Sequence, residues 1–207
     1  MLNEYLVKEF GYDEPIFINN LEVNDMSKKA LRQAISRLAK TGNLVKFDTG
    51  IYYIPKPDRL LKRAYLDTTK VIIRKYITDG REIYGYFTGL SAANQLALTT
   101  QVPVQLEICS NRESSKGRTL MIGNRTIRVK RAKTEVTSNN YKILQLLDLL
   151  QEAEKLTDLP DEEVVSRLKT NISSEGISRE ELKKYISLYP GKVAQKIIEW
   201  ELIYEFT

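Results

Sequence analysis

Histidine is absent from the 207-residue chain. Without imidazole there is no histidine general base, no histidine metal ligand and no Ser-His or Cys-His nucleophile. Cysteine occurs once, as Cys109, which excludes an internal disulfide and a thiolate metal cage and fits a reducing compartment. No apolar run approaches the roughly 18 to 20 residues needed to span a bilayer. The opening residues, MLNEYLVKEF, carry Glu4 and Glu9 and lack both a basic start and a continuous apolar stretch, so no signal peptide is expected. The expected location is the cytoplasm, with no membrane partner. What is present is ordinary for a folded chain: 42% hydrophobic and 29% charged residues, enough to build a core. The length suits one large domain or two small ones.

Charge is unevenly distributed. Residues 1–25 hold one basic and six acidic side chains, whereas residues 26–63 hold ten basic and two acidic. Residues 70–133 hold twelve basic and four acidic, and residues 134–207 hold nine basic and fourteen acidic. Two basic blocks flanked by acidic sequence suit a protein that presents positive surfaces to a polyanion. The alternative is two solvated faces with no partner.

The first block contains SKKALRQAISRLAK, residues 27–40, with Ser27 as N-cap and Gly42 as the stop. At roughly 100° per residue, Leu31, Ala34, Ile35 and Leu38 fall on one side of a helix. Lys28, Lys29, Arg32, Gln33, Ser36, Arg37 and Lys40 fall on the other, and these residue types bond phosphates and base edges. Two β-prone runs follow, LVKF and IYYI, joined by a short loop in which Gly50 can take positive φ. Before the helix, LNEYLVKEF reads as a short helix and EPIFINNLEV as an extended piece and a turn of helix. This order predicts a winged helix-turn-helix over residues 1–57, with the basic helix as the element that enters the major groove. Lys29, Arg32, Gln33 and Ser36 would face double-stranded DNA, Lys28 and Lys40 would border the interface, and Lys46 would lie on the first strand of the wing. Arg37 sits at the edge of the face, where it could pack on the wing instead. The competing reading is an ordinary surface helix rich in lysine and arginine.

Pro55 and Pro57 end the hairpin and mark the boundary with a second domain, residues 58–207. Residues 58–78 read as largely helical. From 82 the chain passes Gly85 and Gly89 into a helix near Ser91–Leu98, then through Pro103 into VQLEICS, a strand with Val104, Leu106 and Ile108 on one face. RTLMIG and RTIRVKRA form two further strands about a turn at Gly123 and Asn124. Arg128 and Lys130 share a face of the last strand and are candidate nucleic-acid contacts. Helical patterns fill residues 139–205: YKILQLLDLLQEAEKL, PDEEVVSRLKT, SREELKKYISLY with a capping box at Ser178 and Glu181, and VAQKIIEWELIYEF. The expected class is therefore α+β: a winged helix-turn-helix followed by a mixed domain with a small sheet at about 82–132 and a helical C-terminal part.

Catalytic patterns are lacking. There is no phosphate-binding glycine loop, nucleophile elbow or metal-spaced cluster of acids, and neither a cofactor nor a metal is implied. A metal-dependent nuclease would place a carboxylate on a strand with a lysine two residues on. The strand acid here, Glu107, is followed by Ile108 and Cys109. An enzyme is not expected.

Two segments resemble the AbiE-type abortive-infection antitoxins: RQAISRLAKTGNLVKFDTGIYYIPKP, residues 32–57, and YGYFTGLSAANQLALTTQVP, residues 84–103. The resemblance implies the antitoxin of a type IV toxin-antitoxin system in phage defence. Such a protein binds inverted repeats upstream of its own operon, represses it, and opposes a nucleotidyltransferase-like toxin without forming a stable complex with it. The DNA-reading residues it implies are those of the 27–40 helix and the wing; for the antitoxin activity it supplies no residue-level motif. Two readings stand beside it: a stand-alone transcriptional regulator with an effector-sensing C-terminal domain, and a metal-dependent nuclease using Glu107.

Overall fold

The computed structural model describes residues 2–23, 26–57, 66–114 and 116–207. Chain contacts divide the protein into two units, Met1–Arg74 with Ile122–Asn124, and Lys75–Met121 with Arg125–Thr207. The class is α+β, with helices and one small antiparallel sheet in the first unit and a mixed sheet followed by helices in the second.

In the first unit, α1 (Leu2–Phe10), β1 (Ile16–Phe17) and a 3-10 turn (Ile18–Asn20) precede α2 (Lys28–Lys40), β2 (Val45–Asp48) and β3 (Ile51–Tyr53). Helix α2 begins where Ser27, in extended backbone, accepts the Ala30 N–H at 3.2 Å, and ends at Thr41 with Gly42 in the left-handed region at φ +77°. Its apolar stripe buries Leu31 and Ile35 against Leu6, Ile16, Leu44 and Ile54. Each such side chain contributes about 1.5–3 kcal/mol when removed from water. Strand β3 lies between β1 and β2, antiparallel to both, and Gly50 turns the hairpin at φ +73°. Tyr53 is in the interior while Tyr52 is only partly covered. Helix, strand, helical turn, helix and hairpin give the winged helix-turn-helix, with the first helix of the helix-turn-helix reduced to a single 3-10 turn.

α3 (Thr68–Tyr76) crosses the division between the units. The division falls after Arg74 rather than Pro57, because the start of α3 is tied to the first unit by an ion pair between Lys70 and Glu14 and by a 3.0 Å hydrogen bond from Thr68 Oγ1 to Asn124 Oδ1. The expected helix over 58–65 lies outside the described residues.

The second unit contains β4 (Gly85–Phe87), α4 (Gly89–Gln95), β5 (Leu106–Ser110), β6 (Arg118–Ile122), whose last residue groups with the first unit, and β7 (Arg125–Arg131). Sheet order is β4-β5-β7-β6; β4 runs antiparallel to β5, and β5 parallel to β7 with Leu106 opposite Ile127 and Glu107 opposite Arg128. Then come α5 (Tyr141–Leu156), α6 (Asp161–Glu175), α7 (Arg179–Tyr185) and α8 (Gly191–Glu199), with 3-10 turns at Ile186–Leu188 and Leu202–Tyr204. Helix α5 is apolar on most of its circumference, as a helix enclosed by others must be, and it contacts α4, β4, α7 and α8. The capping box at Ser178 and Glu181 is formed. No helix among the described residues is long and apolar enough to cross a membrane.

Three elements differ from the sequence pattern. Strand β4 has no counterpart in it: three residues beginning at Gly85 carry no readable alternation, and pairing to β5 supplies the order. The neighbouring strand starts at Leu106, leaving Val104 97% exposed after Pro103. The last helix stops at Glu199, and Glu201 adopts φ +54°. That break lets Leu202 and Phe206 enter the core and lets the Arg179 N–H reach the Thr207 carbonyl at 2.8 Å.

Gly85 is where the sheet tolerates no side chain, since a Cβ there would overlap the carbonyl oxygens of Tyr76 and Cys109. Gly85→Ala should destabilise the protein by on the order of 3 kcal/mol in urea denaturation. Gly191→Ala, at the start of α8 with open space around its Cβ, should be neutral within about 1 kcal/mol.

Candidate nucleic-acid interface

Burying Leu31 and Ile35 turns the opposite face of α2 to solvent. Lys28, Lys29, Arg32, Gln33, Ser36, Arg37 and Lys40 are all exposed, as is Lys46 on β2. Helix α2 contains no acidic residue, and no carboxylate among the described residues forms an ion pair with these cations. Lys28 and Lys29 occupy the first turn, at the positive end of the helix dipole, where a cation is unfavourable by about 0.3–1 kcal/mol. A phosphate at that end would relieve both the dipole and the ammonium groups. Arg37 lines a groove with Leu2, Asn3 and Glu4 of α1 and Thr41 and Asn43 beyond α2. The cause is its place on the helix, beside Leu38 on the α1 flank.

Arg128 and Lys130 share a face of β7, as alternation requires, yet they do not form an isolated basic stripe. Both line a cavity of about 150 Å³ with Thr88, Gly89, Glu107, Asp148 and Glu152. The floor is Asp148, whose side chain is 4% exposed. Its Oδ2 accepts hydrogen bonds from Thr88 Oγ1 at 2.8 Å, Cys109 Sγ at 3.3 Å and Tyr86 Oη at 3.4 Å. Lys130 Nζ lies 3.6 Å from the same oxygen. Burial is the largest single influence and opposes the lysine's charge, but the charge and hydrogen bond of Asp148 together with the neighbouring Cys109 and Glu152 outweigh it and hold the Lys130 pKa above the ordinary lysine value. Glu107 Oε2 accepts the Leu90 N–H at 3.2 Å; Gly89 beside it holds φ +56°, a left-handed conformation that favours glycine. Among the described residues no group of three or more acidic, cysteine or histidine side chains is arranged to hold a metal ion.

Asp148 and Glu152 do not emerge as site residues from the sequence alone. A signal is present, since Asp148 is the single charge inside ILQLLDLL, and an acid in an apolar run requires partners. Glu152 follows one helical turn later on the same side. The partners themselves come from three strands and the residue before α4, and cannot be read from spacing.

The chain matches the family described as "Family of unknown function (DUF6088)" over residues 6–176, and it belongs to that family. No curated protein matches it.

Burial first, and then the Asp148 charge, push the Cys109 thiol up to about 12, so it stays protonated through neutral and mildly alkaline pH. Iodoacetamide labelling at pH 8 should be at least about a hundredfold slower in the folded protein than in denaturant, where the thiol regains its ordinary value near 8.5.

Proposed function

We propose that the protein is a DNA-binding autorepressor and the antitoxin of a type IV toxin-antitoxin system in phage defence, acting in the cytoplasm. The first unit binds inverted repeats upstream of its own operon, and the toxin it opposes is nucleotidyltransferase-like and forms no stable complex with it. The observation that carries the DNA-binding part is the solvent face of α2, with five cations and no acid on a winged helix-turn-helix. The antitoxin part is supported by the resemblance of residues 32–57 and 84–103 to the AbiE-type proteins. Lys29, Arg32, Gln33 and Ser36 contact the major groove; Lys28, Arg37, Lys40 and Lys46 contact or border the phosphates. Arg128 and Lys130, among three carboxylates, make no large contribution to DNA binding. The protein has no catalytic role.

A second reading, a regulator whose C-terminal part senses an effector, is favoured by the charged cavity in the second unit. The two differ in whether co-expression of the chain restores growth to cells expressing the neighbouring toxin gene.

In gel-shift titrations, a duplex from upstream of the gene should bind at least ~10³-fold more tightly than a shuffled duplex at physiological salt. Lys29→Ala with Arg32→Ala should weaken that binding by about tenfold or more, and the slope of log affinity against log salt should flatten by about 0.9 for each phosphate that is no longer neutralised. Unchanged affinity in the double variant would remove α2 from the interface.

A further inference from the structure

The cavity floored by Asp148 brings together charges of both signs from β5, β7 and α5 and leaves several of them outside any ion pair among the described residues. The Oδ2 of Asp148 is occupied by Thr88, Tyr86, Cys109 and Lys130. Glu107 and Arg128 are different. They are direct register partners on adjacent parallel strands and carry opposite charges. No ion pair forms between them: Glu107 is held by the Leu90 N–H, and the Arg128 guanidinium lies beside Gly117. The space between is part of the cavity. Glu152, one turn after Asp148, also lines it and is exposed, with no ion-pair partner among the described residues.

The groups left over are thus one guanidinium and two carboxylates around a volume of about 150 Å³. A cavity of that order holds a molecule about the size of benzene. Three lining carboxylates against two cations disfavour a phosphate, and the two cations disfavour a bare metal ion. A ligand carrying one anionic and one cationic group a few bonds apart satisfies both sets. We propose that this cavity binds a small α-amino acid as its zwitterion. The carboxylate meets Arg128, with Lys130 behind it, and the ammonium meets Glu107 and Glu152. The site does not rest on the DNA reading, and its test uses no DNA.

The test is isothermal titration of the full chain with glycine, L-alanine, L-serine and L-threonine, followed by the N-acetyl and carboxamide derivatives of the tightest binder. At least one amino acid should bind saturably, and masking either charge should weaken it by about tenfold or more. Arg128→Ala and Glu152→Gln, at exposed positions, should each cause a comparable loss with an unchanged circular dichroism spectrum. No binding by any of these amino acids overturns the proposal, and so does equal binding of the masked derivatives. Wild-type affinity in both folded variants would also overturn it.

Discussion

The carboxylate of Asp148 is the constraint around which the second unit is arranged. An acid on the buried side of a helix otherwise lined with leucine is costly unless each lone pair is used. Four side chains converge on its Oδ2 here, reaching in from β4, the segment before α4, β5 and β7. Apolar packing alone would allow α5 to slide or rotate on the sheet, since leucines are interchangeable over short shifts. A directional set of hydrogen bonds permits one register. The same carboxylate fixes Lys130, and so determines what the cavity above it presents.

The first unit works by the opposite rule. There α2 buries Leu31 and Ile35, and its polar face is left with charge of one sign. Cations without carboxylates near the start of a helix repel one another and oppose the dipole, an arrangement that stability alone would not favour. It is consistent with a surface whose counter-charge arrives from outside. The two basic blocks of the sequence therefore have different characters: the first is uncompensated on α2, whereas in the second Lys130 and Arg118 are paired with Asp148 and Glu113.

Much of this is legible in the sequence because it rests on local periodicity. The stripe of Leu31, Ala34, Ile35 and Leu38, the Ser27 cap, Gly42 and the Gly50 hairpin identify the winged helix from residues close in sequence. The cap at Ser178 and the apolar run in α5 behave likewise. What depends on tertiary contacts is not legible. Three residues of β4 become a strand because β5 is beside them, and the final helix breaks because Leu202 and Phe206 are drawn into the core. In the cavity the cations are visible as an alternating pair on β7. The carboxylates that share the cavity with them lie on β5 and α5, and parallel register rather than spacing brings Glu107 opposite Arg128.

The central claim is that the exposed face of α2 reads a specific DNA sequence. It is tested most directly by selecting bound duplexes from a random library with the purified chain at physiological salt. The account predicts that one half-site recurs as an inverted repeat, and that Gln33→Ala alters the enriched bases while leaving the protein folded. A library that stays random after repeated rounds, or one enriched identically by the wild type and the α2 variant, would contradict it.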